Sequence, residues 1–132
     1  MVMYSKANIL VVDDDKLLRD VVCLMLSTMG CVAIPAQDAT EALDRMKNIG
    51  SFHLVLTDIN MPQMDGWELA FHIKELYPDM PIIALTGETP ETIFPKLSGS
   101  GIDDALFKPF NLEVLRDAMS RLMQPEGMKY AS

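Results

Sequence analysis

The chain has 132 residues, room for one domain and not for two. Apolar residues make up 49% and charged residues 23%, enough for a proper core without staples and too apolar for disorder. The formal net charge is −8 and no two Lys or Arg residues are adjacent, which argues against a phosphate-neutralising nucleic-acid surface and against attraction to an anionic membrane.

Strand-like and helix-like segments alternate along the chain. Asn8 to Val12 is an apolar run ending in acids and reads as a buried strand. Lys16 to Met29 follows with helical spacing, placing Leu18, Val21, Val22, Met25 and Met29 on one face, and Gly30 is a good stop. Cys31 to Ile34 is the second strand. Asp38 reads as an N-cap, with Glu41 three residues on to complete a capping box. Ala42, Leu43, Met46 and Ile49 give that helix its apolar stripe, and Gly50 ends it. Leu54 to Thr57 is the third strand, followed by Asp58.

A loop over Asn60 to Gly66 leads to a third helix with Leu69, Ala70, Ile73 and Leu76 inward, and Pro78 follows its end. Ile82 to Leu85 is the fourth strand. Thr89-Pro90 starts a fourth helix, with Pro at the first helical position. Pro95 then falls inside it, at a cost of roughly 3 kcal/mol, and Ser98 to Gly101 is flexible in composition, so this helix is expected to be short, kinked or displaced. Ala105 to Phe107 is the fifth strand. Asn111 caps a last helix from about Leu112 to Met123, with Leu115, Ala118, Met119 and Leu122 on one side. The domain core is expected over about 7–123, with 124–132 a tail or linker stub of a single domain spanning 1–132.

Cys23 and Cys31 sit in apolar runs with no His or Cys at ligand spacing and read as buried, reduced thiols. His53 and His72 likewise lack partners at such spacing. No membrane span or signal peptide is visible in the sequence, so a cytoplasmic protein is expected.

Five apolar strands alternating with helices imply a doubly wound parallel sheet with helices on both faces. Ligands in such sheets bind beyond the carboxyl ends of the strands, so the residues standing there are the candidates. Asp13, Asp14 and Asp15 follow strand one, Asp58 strand three, Thr86 and Gly87 strand four, and Lys108 and Pro109 strand five. Clustered carboxylates repel and need a balancing cation. Hard oxygen donors without imidazole or thiolate favour magnesium, with manganese as an alternative, over zinc. Metal, lysine and a hydroxyl around one carboxylate suit phosphoryl transfer, where positioning and charge neutralisation do most of the catalysis. A carboxylate nucleophile would give an acyl phosphate.

The segments Ile9-Leu-Val-Val-Asp-Asp-Asp15, Leu56-Thr-Asp-Ile-Asn-Met-Pro-Gln-Met-Asp-Gly66, Ala84-Leu-Thr86 and Lys108-Pro-Phe110 resemble the receiver domain of two-component response regulators, over roughly residues 7–123. That resemblance implies a flavodoxin-like strand order of 2-1-3-4-5. It implies that Asp58 accepts a phosphoryl group from a histidine kinase or histidine phosphotransfer protein. It implies that Asp14, Asp58 and the main-chain carbonyl of Asn60 hold magnesium, with Asp13 helping through water. Thr86 and Lys108, with backbone groups at Asn60 and Gly87, would contact the phosphoryl oxygens. Asn60 and Glu88 occupy the positions that tune hydrolysis of the acyl phosphate, and Lys108-Pro109 is a cis peptide in similar proteins. Asp15 is then a bystander capping the first helix. Such a protein catalyses only its own phosphorylation and dephosphorylation, and passes the signal to a downstream protein or a fused output domain.

Two positions depart from the family pattern. Ala105 stands where receivers usually carry Tyr or Phe, and Phe107 lies two residues on, toward the same face of the strand. Pro95 interrupts the fourth helix. Both fall on a common output face of similar proteins. Two rival readings follow. One is a receiver-fold docking module that works without phosphorylation. The other is a haloacid-dehalogenase-like phosphatase using Asp13 and Asp15, which leaves Asp58 unexplained.

Overall fold

A computed structural model describes residues 4–123 of the chain. The expected tail at 124–132 lies outside the described residues. The elements alternate strictly: β1 (Asn8–Val12), α1 (Lys16–Thr28), β2 (Val32–Ala36), α2 (Ala39–Ile49), β3 (Leu54–Asp58), α3 (Gly66–Leu76), β4 (Ile82–Thr86), α4 (Pro90–Leu97), β5 (Asp104–Phe107) and α5 (Leu112–Leu122). The strands form one parallel sheet in the order β2-β1-β3-β4-β5, the flavodoxin-like order that was expected.

The sheet separates two apolar layers. On one face Leu10, Val12, Val55 and Ala84 meet Ala42 and Met46 of α2, Leu69 and Ile73 of α3 and Ile93 of α4. On the other, Ile9, Val11, Leu56 and Leu85 meet Val22 and Leu26 of α1 and Leu115, Ala118 and Met119 of α5. Alternate strand residues therefore feed opposite cores, which explains why these strands read as unbroken apolar runs. Every residue of β3 and β4 is buried, so the central strands are the most sharply specified elements.

The starts of α1, α2, α4 and α5 were legible, and that of α3, capped by Asp65, was not. Asp15, Asp38, Asp65, Thr89 and Asn111 all act as N-caps. The capping box of α2 is modified. Asp38 accepts from the Glu41 N–H at 2.8 Å, but the Glu41 carboxylate accepts from the Gln37 N–H, one residue before the cap. Helices α1 and α2 close on Gly30 and Gly50, with φ of 84° and 86°, a conformation that Cβ disfavours. Helix α4 has only 8 residues, the shortness expected from Pro95, which cannot supply an N–H to the preceding turn.

Several boundaries and faces differ from the sequence expectation. β2 runs to Ala36 and contains Pro35, paired in register with Val11. It is an edge strand, where a missing N–H can face away from the ladder. Gly66 is the first residue of α3 rather than the end of the loop. Val21 is exposed and lines a small apolar cleft with Met25, Pro109 and Phe110, while Leu26 takes the inward position. Ile49 and Leu76 are also exposed, because the final turns of α2 and α3 carry their side chains past the buried layer. Cys31 is buried and Cys23 half-buried, and both are free thiols.

Candidate functional site

The parallel sheet brings the carboxyl ends of four strands to one edge. Asp13 follows β1, Asp58 closes β3, Thr86 closes β4 and Lys108 follows β5. Asp13, Asp14 and Asp58 each offer a carboxylate oxygen, all within 4.8 Å of one another. Asp13 and Thr86 are completely buried and Asp58 is nearly so, whereas Asp14 is exposed. The Lys108 ammonium sits 3.4 Å from Asp13 Oδ2 and 3.5 Å from Asp58 Oδ1. One lysine thus faces two buried acids, with a third acid at the solvent side.

Local structure holds each group in place. The Asp15 N–H donates to Asp13 Oδ1 at 2.9 Å, and the Asp15 side chain accepts from Leu17 and Leu18 N–H groups. Asp15 is committed to capping α1 and stands outside the carboxylate cluster, contrary to what a phosphatase using Asp13 and Asp15 would need. The Asp58 backbone is gripped from both sides. Its carbonyl accepts from the Thr57 hydroxyl at 2.9 Å, and Gly66 packs directly against it. The Lys108 N–H donates to the Thr86 carbonyl at 2.7 Å, tying β5 to β4, and Lys108-Pro109 is cis.

Burial pushes the Asp58 carboxyl up to about 6. Lys108 pulls it down and Asp13 pushes it up again, while the backbone N–H groups of Asn60 and Ile59 lower it. The site therefore carries more acid than its single lysine balances. Its donors are hard oxygens, and the spacing of three carboxylates fits a small divalent cation of the magnesium type.

Two loops cross the mouth of the site. Asn60 Nδ2 donates to Glu88 Oε2 at 3.3 Å, and the Glu88 N–H donates to Thr86 Oγ1 at 3.0 Å. Sequence reading named Asn60 and Glu88 separately but not the bond joining them. Gly87 lies between Thr86 and Glu88, with open space where a Cβ would stand. Phe107 is the register partner of Thr86, and its ring packs edge-on against Phe94 of α4, with centroids 5.5 Å apart. Ala105 is buried in the core on the same side. His53 is structural, its Nδ1 accepting from the Asn8 N–H at 3.0 Å, and His72 is a surface residue beside Glu68.

Comparison with known proteins agrees with this fold. The family model for the response regulator receiver domain matches residues 9–120. The structure superposes on the chemotaxis protein CheY4 of Vibrio cholerae with a TM-score of 0.83 at 31% identity, covering 90% of this chain and all of that one. It superposes on the response regulator TrrA of Thermotoga maritima, in complex with Mg(2+)-BeF, with a TM-score of 0.80 at 32% identity, covering 89% and 99%. The sensor protein EvgS of Escherichia coli is 34% identical over 91% of this chain, which corresponds to 10% of EvgS. The chain spans between 10% and 50% of the length of the first curated relatives it matches.

Proposed function

The chain belongs to the response regulator receiver family, and on that premise we propose that Asp58 is a phosphoryl acceptor served by a magnesium ion, Lys108 and Thr86. The observation that carries this reading is the meeting of Asp13, Asp14 and Asp58 within 4.8 Å, with Lys108 beside two of them. The Mg(2+)-BeF complex of TrrA supports it by likeness. Asp14, Asp58 and the Asn60 carbonyl would hold the metal, with Asp13 in support. When bound, magnesium would neutralise the carboxylates and the charge on the phosphoryl oxygens.

The donor is a phosphohistidine on a histidine kinase or histidine phosphotransfer protein. An Asp58 oxygen attacks phosphorus, a P–O bond forms, the P–N bond breaks, and its electron pair stays on the imidazole nitrogen. Lys108 then turns from the free carboxylate toward the phosphoryl oxygens, and the Thr86 hydroxyl and the Gly87 and Asn60 backbone groups supply further contacts. Asn60 and Glu88 order the water whose later attack on phosphorus restores the Asp58 carboxylate. The protein acts as a signalling acceptor that turns over only its own phosphoryl group. Its output passes to a downstream protein or a fused domain, and we place it in the cytoplasm. Among the described residues no helix is long and apolar enough to cross a membrane.

Incubation with magnesium and a small acyl-phosphate donor, followed by mass spectrometric mapping, tests this. A single phosphoryl group on Asp58, absent without magnesium and absent from Asp58→Asn, is expected. No modification, or equal modification of Asp58→Asn, sinks the assignment.

A further inference from the structure

Asp14 is the most exposed member of the acidic cluster. Among the described residues its carboxylate has neither a hydrogen-bond nor an ion-pair partner, so no side-chain contact orients it and the backbone sets only where the side chain starts. The backbone on either side of Asp14 is held at Asp13 and at Asp15. The Asp13 N–H donates to the Ala36 carbonyl at 3.1 Å, extending the β1–β2 pairing by one residue. Asp13 Oδ1 takes the Asp15 N–H, and the Asp15 carbonyl takes the Arg19 N–H at 2.9 Å. The fourth held group is the Asp13 carbonyl, which belongs to the peptide plane joining Asp13 to Asp14. It accepts from the Arg19 guanidinium, Nη1, at 2.7 Å.

Arg19 lies in the second turn of α1 and is half-buried. Its side chain reaches back over the loop, and it forms no ion pair among the described residues. A charge-assisted bond of this length is among the stronger kinds. Fixing that carbonyl fixes the rotation of the peptide plane, and with it the direction in which the Asp14 side chain leaves the backbone. We propose that Arg19 is a positioning residue for Asp14, holding the carboxylate toward Asp13 and Asp58 so that a divalent cation meets an assembled site. This rests on the metal-site reading of the preceding subsection.

The sign of the effect separates this role from the alternatives. A guanidinium near a cation site acts through its charge to repel the cation, so removing the charge alone would tighten binding. Loss of a group that orients a ligand weakens binding, typically by 10–100-fold for such outer contacts. A role in helix stability alone would leave the affinity of the folded protein unchanged.

The test is a manganese titration followed by electron paramagnetic resonance on wild type, Arg19→Met and Arg19→Lys at fixed ionic strength. Thermal unfolding in chelator tracks the fold, and the Asp14 amide resonance is recorded without metal. Wild type binds manganese, Arg19→Met binds about tenfold more weakly with a displaced Asp14 resonance, and Arg19→Lys recovers part of the loss. If Arg19→Met fails to fold, Arg19→Lys alone decides: weakened binding supports the role and unchanged binding overturns it. Failure of wild type to bind overturns the metal-site reading itself. Wild-type binding with equal or tighter binding by the variants overturns the role of Arg19 and leaves that reading intact.

Discussion

Gly66, the first residue of α3, packs its Cα against the carbonyl oxygen of Asp58. A Cβ at this position would collide with that oxygen and lie 2.8 Å from the Ile59 Cα, and both are backbone atoms with no rotamer to yield. The Gly66 N–H also donates to the Ile59 carbonyl at 2.8 Å. Gly66→Ala must therefore push α3 away from the strand end that carries the acceptor. A loss of about 1–3 kcal/mol is expected by urea unfolding, with slower labelling of Asp58 in the fraction that folds. Gly87→Ala is the control. Its Cβ would meet nothing within 4 Å, so stability should stay within about 0.5 kcal/mol of wild type.

Burial of Asp58 makes metal-free stability depend on pH with a definite sign. Its folded-state value is raised from 3.8 to about 6, so the folded protein holds a proton there that the unfolded chain has released. The contribution is complete below about pH 4 and is lost as pH rises through about 6. The gap of about two units corresponds to roughly 3 kcal/mol in order of magnitude. Urea unfolding of wild type and Asp58→Asn in chelator, from pH 4 to 7.5, reads it as a difference. The variant should gain on wild type across this range and be the more stable protein at pH 7.5. A variant no more stable at pH 7.5 contradicts the cause assigned here. Because a metal must displace that proton, apparent magnesium affinity should also fall below pH 6, by up to about tenfold per unit.

Much of this was legible from sequence for a specific reason. In a parallel sheet the strands are short apolar runs, and whatever follows them is gathered at one edge. Reading the residues after each run thus located Asp13, Asp58, Thr86 and Lys108 without any knowledge of contacts. Helix starts other than that of α3 were legible because capping is local, within three residues. What failed was non-local. Helical spacing assigns Val21 and Leu76 to an apolar stripe, but it does not say where the neighbouring layer ends, and both prove exposed. Pro35 reads as the residue after the second strand, and although the expected order already puts β2 at the edge, the apolar run alone does not show that the ladder continues through it. The Asn60–Glu88 bond joins residues 28 apart. The grip of Arg19 on the Asp13 carbonyl depends on the path of a long side chain, and no spacing rule reports it.

Lys108 is the one cation facing both buried acids among the described residues, with its side chain 21% exposed. Since Lys108 lowers the Asp58 value, Lys108→Met should raise it above about 6. Carboxyl carbon NMR of the metal-free proteins measures the shift, and a midpoint that stays put or falls counts against the pairing. The same change removes positive charge from the site, so magnesium should bind more tightly. Labelling of Asp58 by a small phosphodonor should nevertheless slow, because the ammonium that would meet the arriving oxygens is gone. Tighter metal and slower transfer together distinguish a transfer role for Lys108 from simple charge balance.

The Asn60 amide and the Glu88 carboxylate close over the site from two different loops, and Glu88 is further tied to Thr86 through its own N–H. A phosphoryl group on Asp58 would sit beneath this bridge, and water attacking phosphorus in line must pass these two side chains. Their separation of 3.3 Å leaves the bond easy to open, and with Asn60 exposed and Glu88 half-buried a water can exchange with either partner. Glu88→Ala removes the acceptor that would orient such a water while leaving the Thr86 contact, which is made by backbone. The phosphoryl group on Glu88→Ala should therefore decay about tenfold more slowly than on wild type, an effect at or below the low end for groups that assist proton transfer. Decay is followed as loss of acid-labile label after the donor is removed. Asn60→Ala should slow it in the same direction, and the double variant should add little, because the two side chains act on one water. Unchanged decay in both single variants would show that the bridge only joins the loops.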